Sequence, residues 1–315
     1  MNVLSLFDGM SCGRIALEKA NVPVTNYYSS EIKEYAIKVA NKNYPQDSIN
    51  RLGDITKIKA VDLPKIDLLI GGSPCQDFSG ANKERLGVEG VKSGLFFEYV
   101  RLLEETKPKY FLLENVRMKK EHQNFISEVL SCEPIVINSE KLAPHLRHRL
   151  YWTNIPNLEQ PKDLGLELND FLIDGYSDRR KARTLLESDS RPLSTPIKMC
   201  HRYFNTGFTT LIFKSKEHFD NLKEHFDKNF KGKSAKEIDA LINGMDLSVY
   251  DGVRYMNNRE REHCQTVPEG YTDILTQNEA ACILGDGWTV DVIAHIFKNI
   301  PLEKMIYTNL ILEYK

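Results

Sequence analysis

The feature that most constrains this chain is periodic: across its first 155 residues, short apolar runs alternate with helically spaced segments. Val3–Phe7, Thr25–Ser29, Leu68–Ile70, Tyr110–Leu113 and Ile135–Ile137 read as strands. Gly13–Ala20, Ile32–Asn41, Leu95–Thr106 and Gln123–Leu130 lie between them and read as helices. Strands that alternate with helices predict an α/β fold, with a mainly parallel sheet covered on both faces. Ligands of such sheets sit at the carboxyl ends of the strands.

The alternation stops at Pro156. From there to about Asp251 charges cluster, apolar strand runs are few, and Ser188–Pro192 is loop-like. Lys216-Glu217-His218-Phe219-Asp220 recurs as Lys223-Glu224-His225-Phe226-Asp227. That repeat puts Phe219, Leu222, Phe226 and Phe230 on one helical stripe, as an amphipathic surface helix would. Val253–Lys315 regains amphipathic character, and Val292, Ile293, Ile296 and Phe297 are spaced for a helix that packs back on the first segment. A chain of 315 residues is long enough for about two units. The expected division is residues 1–156 plus 253–315 as one discontinuous domain, with 157–252 inserted.

The net charge of −2 excludes a histone-like coat of positive charge, but not a nucleic-acid enzyme with a local basic face. No apolar run reaches the roughly 18 residues of a membrane span, and the start Met1-Asn2-Val3-Leu4 lacks the basic residues of a signal peptide. The six cysteines are scattered without a Cys-x-x-Cys pair, so no metal site and a reduced, cytoplasmic setting are expected.

Chemistry is expected at the strand ends. The first strand runs into Phe7-Asp8-Gly9-Met10-Ser11-Cys12-Gly13, which is neither Gly-x-Gly-x-x-Gly nor a phosphate-cradling loop. The second ends at Ser30-Glu31, where an acid commonly holds ribose hydroxyls. Asp54 ends a third segment and suits an adenine amine. Together these fit an adenosine cofactor without phosphates, hence S-adenosylmethionine; a carboxylate in a loop also serves as a solvated cap.

Gly71-Gly72-Ser73-Pro74-Cys75-Gln76 places a cysteine directly after a strand, in a loop at the sheet's carboxyl edge. Its thiol, with an ordinary pKa near ~8.5, needs local help to act as a thiolate. Glu114, at the end of the strand Tyr110–Leu113, is an acid partner, or alternatively a helix cap with Asn115. Arg147 and Arg149 lie two apart and share a face if extended, which suits phosphate or a base edge, or simply a solvated edge strand.

These motifs together resemble the cytosine-5 DNA methyltransferase family. Ser73-Pro74-Cys75-Gln76 is similar to its Pro-Cys loop and Glu114-Asn115-Val116 to its Glu-Asn-Val. Phe7-Asp8-Gly9 with Gly13, Glu31 and Asp54 resemble its three cofactor motifs. His145-x-Arg147-x-Arg149 is similar to Gln-x-Arg-x-Arg, Arg259-Glu260 with Gln265–Pro268 to Arg-Glu…Gln-Gly-Phe-Pro, and Gly285–Ile293 to the last motif. The order is the family's, and all but about 157–252 is covered. The Phe-Asp-Gly start and Gly-x-Gly-Trp ending are most similar to bacterial or phage relatives of the animal de novo methyltransferases. His145 stands where many members have Gln, Ser11-Cys12 replaces a Gly pair, and Thr266-Val267 replaces Gly-Phe.

The resemblance implies the Rossmann-like α/β fold of S-adenosylmethionine-dependent methyltransferases, with a small inserted target-recognition domain. It implies methylation of carbon 5 of a cytosine flipped out of duplex DNA, with Cys75 as nucleophile, Glu114 at ring nitrogen 3, and Arg147 and Arg149 orienting the base. Phe7, Asp8, Gly9, Met10, Ser11, Cys12, Glu31, Ile32, Asp54, Ile55, Pro74, Asp286, Gly287 and Trp288 would contact the cofactor, which leaves as S-adenosylhomocysteine. Residues 76–94 would close over the base. Gln76, Ser79, Gln265 and, in the insert, Arg179, Arg180, Arg183 and Arg202 would contact DNA, joined by Arg191, Asn205 and Thr210. From Tyr176 to Arg202 seven Lys or Arg stand against three Asp or Glu, a local excess that phosphates attract. A modification enzyme encoded by bacteria or phage is implied, for which a companion restriction endonuclease is not required. A tRNA methyltransferase, a silent DNA-binding regulator and a small-molecule methyltransferase are the competing readings. Asp77-Phe78-Ser79 after the Cys-Gln disfavours the first, intact Cys75 and Glu114 the second, and the paired arginines and basic insert the third.

Overall fold

The structure is a computed structural model and describes residues 1–74, 93–191, 193 and 195–302. Its centre is a six-stranded sheet of order β2-β1-β3-β4-β6-β5. The strands are β1 (Asn2–Leu6), β2 (Asn26–Ser30), β3 (Leu68–Gly71), β4 (Tyr110–Val116), β5 (Ile135–Asn138) and β6 (His148–Thr153). β1 lies between β2 and β3, and β3 pairs with β4, all in parallel. Strand residues alternate between two apolar layers, as a period of two requires. Val3, Leu68, Ile70 and Leu112 enter one layer; Leu4, Leu6, Leu69, Phe111 and Leu113 enter the other.

The helices sort by layer. α1 (Cys12–Lys19) and α2 (Glu34–Asn43) join the first layer, while α3 (Ser93–Thr106) and α4 (Lys120–Leu130) cover the second. α5 (Pro196–Thr206), α6 (Lys216–Asn229) and α7 (Ala235–Leu241) build a third apolar cluster. Its stripe Phe219, Leu222, Phe226 and Phe230 is buried as the repeat predicts, and Lys216–Asp220 and Lys223–Asp227 pair on the solvated face. α8 (Asn258–Gln265), α9 (Gln277–Asp286) and α10 (Val290–Phe297) return to the first layer, where α10 packs on α1.

The sheet is mainly parallel, as expected, and two details add to that reading. The sheet is parallel only through β4, because β6 pairs antiparallel with both β4 and β5. The segment from Ser139 to Arg147 is too short for the crossover that a parallel pair needs, about a dozen residues or more. Second, Gln277–Phe297 has the length and hydropathy of a membrane span, although 72% of its apolar window is buried in the fold. The backbone at Gly287 leaves the helical region, which splits this stretch into α9 and α10.

Candidate active site

The ends of β3 and β4 and the start of α1 converge on one side chain, Trp288, in the turn between α9 and α10. A Cβ on Gly72, just past β3, would lie 2.9 Å from Trp288 Nε1 and 3.1 Å from Glu114 Oε2, so only glycine fits there. At the start of α1, a Cβ on Gly13 would lie 3.5 Å from Trp288 Cζ3. Trp288 Nε1–H donates to Glu114 Oε2 at 3.1 Å, and Arg149 Nε forms an ion pair with Glu114 Oε1 at 2.8 Å. Both members of this ion pair are largely buried, so the attraction is less screened than at a surface. Asn115 Nδ2 reaches Ser73 Oγ at 3.4 Å, which ties the end of β4 to the loop leading to Cys75. Cys75 itself, with Gln76, Ser79 and the rest of residues 75–92, lies outside the described residues. Of the expected closing segment, residues 93 and 94 open α3.

The turn after β1 is held from within. Phe7 and Ser11 both adopt positive φ, at 56° and 64°, a conformation that costs non-glycine residues on the order of 1–3 kcal/mol each. Asp8 offsets that cost by accepting from Ser5 Oγ (2.7 Å), Ser11 Oγ (2.6 Å), Tyr27 Oη (2.6 Å) and Arg51 Nη1 (3.2 Å). A carboxylate has about four acceptor positions, and here all are filled. The Asp8 side chain therefore braces the turn from within. Met10 is buried and its carbonyl accepts from Tyr271 Oη at 2.7 Å. Gly287 packs directly on Met10 and Cys12, which joins the first and last cofactor motifs.

The remaining residues expected at the cofactor are Glu31, Ile32, Asp54, Ile55 and Pro74. Glu31 Oε2 accepts from Gly9 N at 2.7 Å, and Oε1 accepts from Ile32 N and Lys33 N at 2.8 and 2.9 Å. Ile32 is 72% exposed, an uncovered apolar surface beside that acid. Asp54 accepts from Thr56 N at 3.0 Å, and this bond holds its carboxyl below the usual range. Ile55 is buried beneath it and Pro74 is half-buried. Lys33 Nζ meets Asp286 Oδ2 at 2.5 Å and links the Glu31 loop to the Trp288 turn. No sequence motif marked Lys33.

Arg147 and Gln265 are also held from within. The guanidinium of Arg147 is buried and does not work alongside that of Arg149. It donates to Leu185 O (3.1 Å) and to Gly285 O (3.1 Å) at the end of α9, where exposed carbonyls favour a cation. Burial first, and then the Arg149 guanidinium, push its pKa down to about 10. Gln265, expected on DNA, is fully buried and holds the Trp288 turn: its amide nitrogen donates to Leu284 O (2.5 Å) and Gly287 O (3.1 Å).

Nucleophiles are scarce among the described residues. Burial pushes the thiols of Cys12, Cys200 and Cys264 up to about 12, and it raises those of Cys132 and Cys282 as well. A thiol so shifted supplies almost no thiolate near neutral pH.

In the insert, Arg183 is exposed, Arg180 pairs with Glu167 at 3.0 Å and Arg191 with Glu187 at 3.3 Å. Arg202 is half-buried, and Arg179 stacks 4.6 Å from the Tyr203 ring centroid. Asn205 Nδ2 donates to Lys233 O at 3.3 Å. Thr210 is buried, and its hydroxyl accepts from Arg183 N at 2.8 Å, so it is not presented for base readout.

Comparison with known proteins identifies the family. The profile of the family described as "C-5 cytosine-specific DNA methylase" matches residues 1–301. The Type II methyltransferase M.NgoBV of Neisseria gonorrhoeae is 32% identical over 264 residues, covering 76% of this chain and 59% of the relative. The orphan methyltransferase M.SPRI of Bacillus phage SPR is 31% identical over 236 residues, covering 73% and 52%. The match thus covers between about half and three fifths of the length of these two relatives. The fold resembles that of the Entamoeba histolytica methyltransferase EhMeth, with a TM-score of 0.69 and 16% identity over 95% of this chain and 97% of that one.

Proposed function

Because the chain belongs to the C-5 cytosine-specific DNA methylase family, we propose that it methylates carbon 5 of cytosine in duplex DNA, with S-adenosylmethionine as donor. The observation that carries this reading is Glu114: a largely buried carboxylate at a strand end, gripped by Arg149 and Trp288, beside the loop that leads to Cys75.

The residues present fit the cofactor. Glu31 Oε2 accepts one bond and keeps a lone pair for a ribose hydroxyl. Ile32 offers an apolar surface to an adenine face, and Asp54 an acceptor to its amine. Asp286–Trp288 and the turn from Phe7 to Cys12 form the facing wall. When bound, S-adenosylmethionine supplies an electrophilic methyl group and leaves as S-adenosylhomocysteine.

The chain's own residues do the rest. A cytosine inside a duplex is out of reach and is flipped out, at a cost of roughly a few kcal/mol. The Cys75 thiolate forms a bond to carbon 6. Glu114, in its acid form, holds ring nitrogen 3 and lends it a proton as that bond forms, which draws charge from the ring, and it recovers that proton as Cys75 leaves. Arg149 fixes the carboxyl and faces the base, while Arg147 braces the frame behind it. After methylation a base removes the carbon-5 proton and Cys75 leaves.

Residues 1–156 and 253–315 form the catalytic unit in this reading, and 157–252 read the target. Exposed Arg180, Arg183 and Arg191 supply phosphate and base contacts with Arg202, and most contacts go to phosphate. The names of the relatives, Type II and orphan methyltransferases, support modification of bacterial or phage DNA with or without a companion endonuclease. The test is methyl transfer to duplex DNA, to RNA transcripts and to no polymer. Transfer to cytosine in DNA alone supports the proposal; transfer to RNA alone, or with no polymer present, refutes it.

A further inference from the structure

We propose that His145, Thr289 and Gln265 form a buried relay of positioning residues that fixes the Trp288 turn, so that the indole N–H holds Glu114 in its working place. The inference rests on the reading of Glu114 as the acid of the methyl transfer.

The directions of the relay follow from donor and acceptor capacity. Gln265 Nε2 faces two carbonyls, Leu284 O and Gly287 O, which accept only, so the amide orientation is settled. Gln265 Oε1 must then accept, and Thr289 Oγ1–H donates to it at 2.9 Å. Having spent its single proton, Thr289 Oγ1 accepts from His145 Nε2–H at 2.9 Å. His145 therefore carries a proton on Nε2, and its burial favours the neutral ring. All three residues are nearly or fully buried.

Thr289 shows that the arrangement is dedicated. It stands at the N-cap of α10, where a Thr hydroxyl ordinarily accepts from the first free amides. Here it makes no cap bond. Thr266 Oγ1, just past α8, accepts from Asp291 N at 2.8 Å in its stead. The hydroxyl is thus committed to the relay, and the end of α8 clamps the turn at Leu284, Gly287, Thr289 and Asp291. Trp288 sits between clamped neighbours and has one direction in which to present its N–H, toward Glu114. An amide at position 145 also carries an N–H donor, so Gln suits the same task.

The chain has two tryptophans, which makes the proposal testable by 15N-indole NMR on the full-length protein. Trp152 donates to Ser127 Oγ at 3.0 Å, outside the relay, and reports folding. In His145→Leu and in Thr289→Val, the Trp288 indole resonance should move while that of Trp152 stays. Turnover on duplex DNA should fall about tenfold, the fold-change of one lost hydrogen bond, with KM for DNA and cofactor little changed. His145→Gln should recover most of that loss. If His145→Leu does not fold, Thr289→Val, which trades a hydroxyl for a methyl, carries the same test. Unchanged turnover with an unchanged Trp288 resonance overturns the proposal, as does a shifted resonance with full turnover, or failure of Gln to rescue. Wild-type protein that methylates no cytosine overturns instead the reading on which it rests.

Discussion

Replacing Gly72 by alanine adds one methyl group where there is no room for it. The new Cβ would stand 2.9 Å from Trp288 Nε1 and 3.1 Å from Glu114 Oε2, and the first distance is closer than real Cβ contacts allow. Gly72 and Glu114 lie at the ends of paired strands within the sheet, so the indole and the carboxylate must part. What is lost is a hydrogen bond to a carboxylate, about 1.5–3 kcal/mol. If that contact persists to the transition state, turnover falls roughly 10- to 150-fold. The fold should survive, because the steric load falls on the half-buried Trp288 rather than on packed backbone. Single-turnover methyl transfer on duplex DNA, with cofactor affinity measured by calorimetry and melting by circular dichroism, separates these effects. Turnover within twofold of wild type would refute the claim that Gly72, Trp288 and Glu114 share one working space.

Further expectations concern charge, cofactor and target. Burial, reinforced by the Arg147, Arg149 and Lys181 cations, holds His145 well below the ordinary histidine value, and no acceptor for its Nδ1 is found among the described residues. The unfolded chain binds a proton there below about pH 6.5 and the native state does not, so stability should be lost as pH falls, by about 1.4 kcal/mol between about pH 7.5 and 5.5. Chemical denaturation at both pH values should show this component in wild type and not in His145→Gln; the same slope in both would remove His145 as its source. Glu31→Ala should weaken S-adenosylmethionine binding by about 1–3 kcal/mol, and unchanged calorimetric affinity would take Glu31 out of the site. Arg183→Ala should weaken DNA binding and flatten its salt dependence while leaving cofactor affinity alone; an unaltered salt slope would take Arg183 off the phosphates.

Much of the fold is legible in the alternation of short apolar runs such as Leu68–Ile70, closed by Gly71-Gly72, with longer helically spaced stretches such as Leu95–Thr106. The reversal of β6 is less visible: the run Leu150-Tyr151-Trp152 looks alike in either direction, and only the short link from β5 betrays it. At the site, residue type points to the right neighbourhood but not to the task. Arg147 and Arg149 look equivalent in sequence, yet one caps the carbonyls of α9 and the other grips Glu114. Gln265 has the amide of a base reader but is buried at the end of α8 against a turn, 19 residues from one partner and 22 from the other. The contact between Trp288 and Glu114 spans 174 residues, and no local pattern encodes it.

Covalent trapping tests the central claim most directly. Duplex DNA carrying 5-fluorocytosine at every target cytosine, incubated with S-adenosylmethionine, should bind wild-type protein irreversibly, since fluorine at carbon 5 cannot leave as a proton. Intact-mass analysis should find protein, oligonucleotide and one methyl group together, with the linkage at Cys75, and Cys75→Ala should form no adduct while retaining cofactor binding. An adduct formed equally by Cys75→Ala, or wild-type methylation of DNA cytosine with no adduct on the fluorinated duplex, would contradict the account.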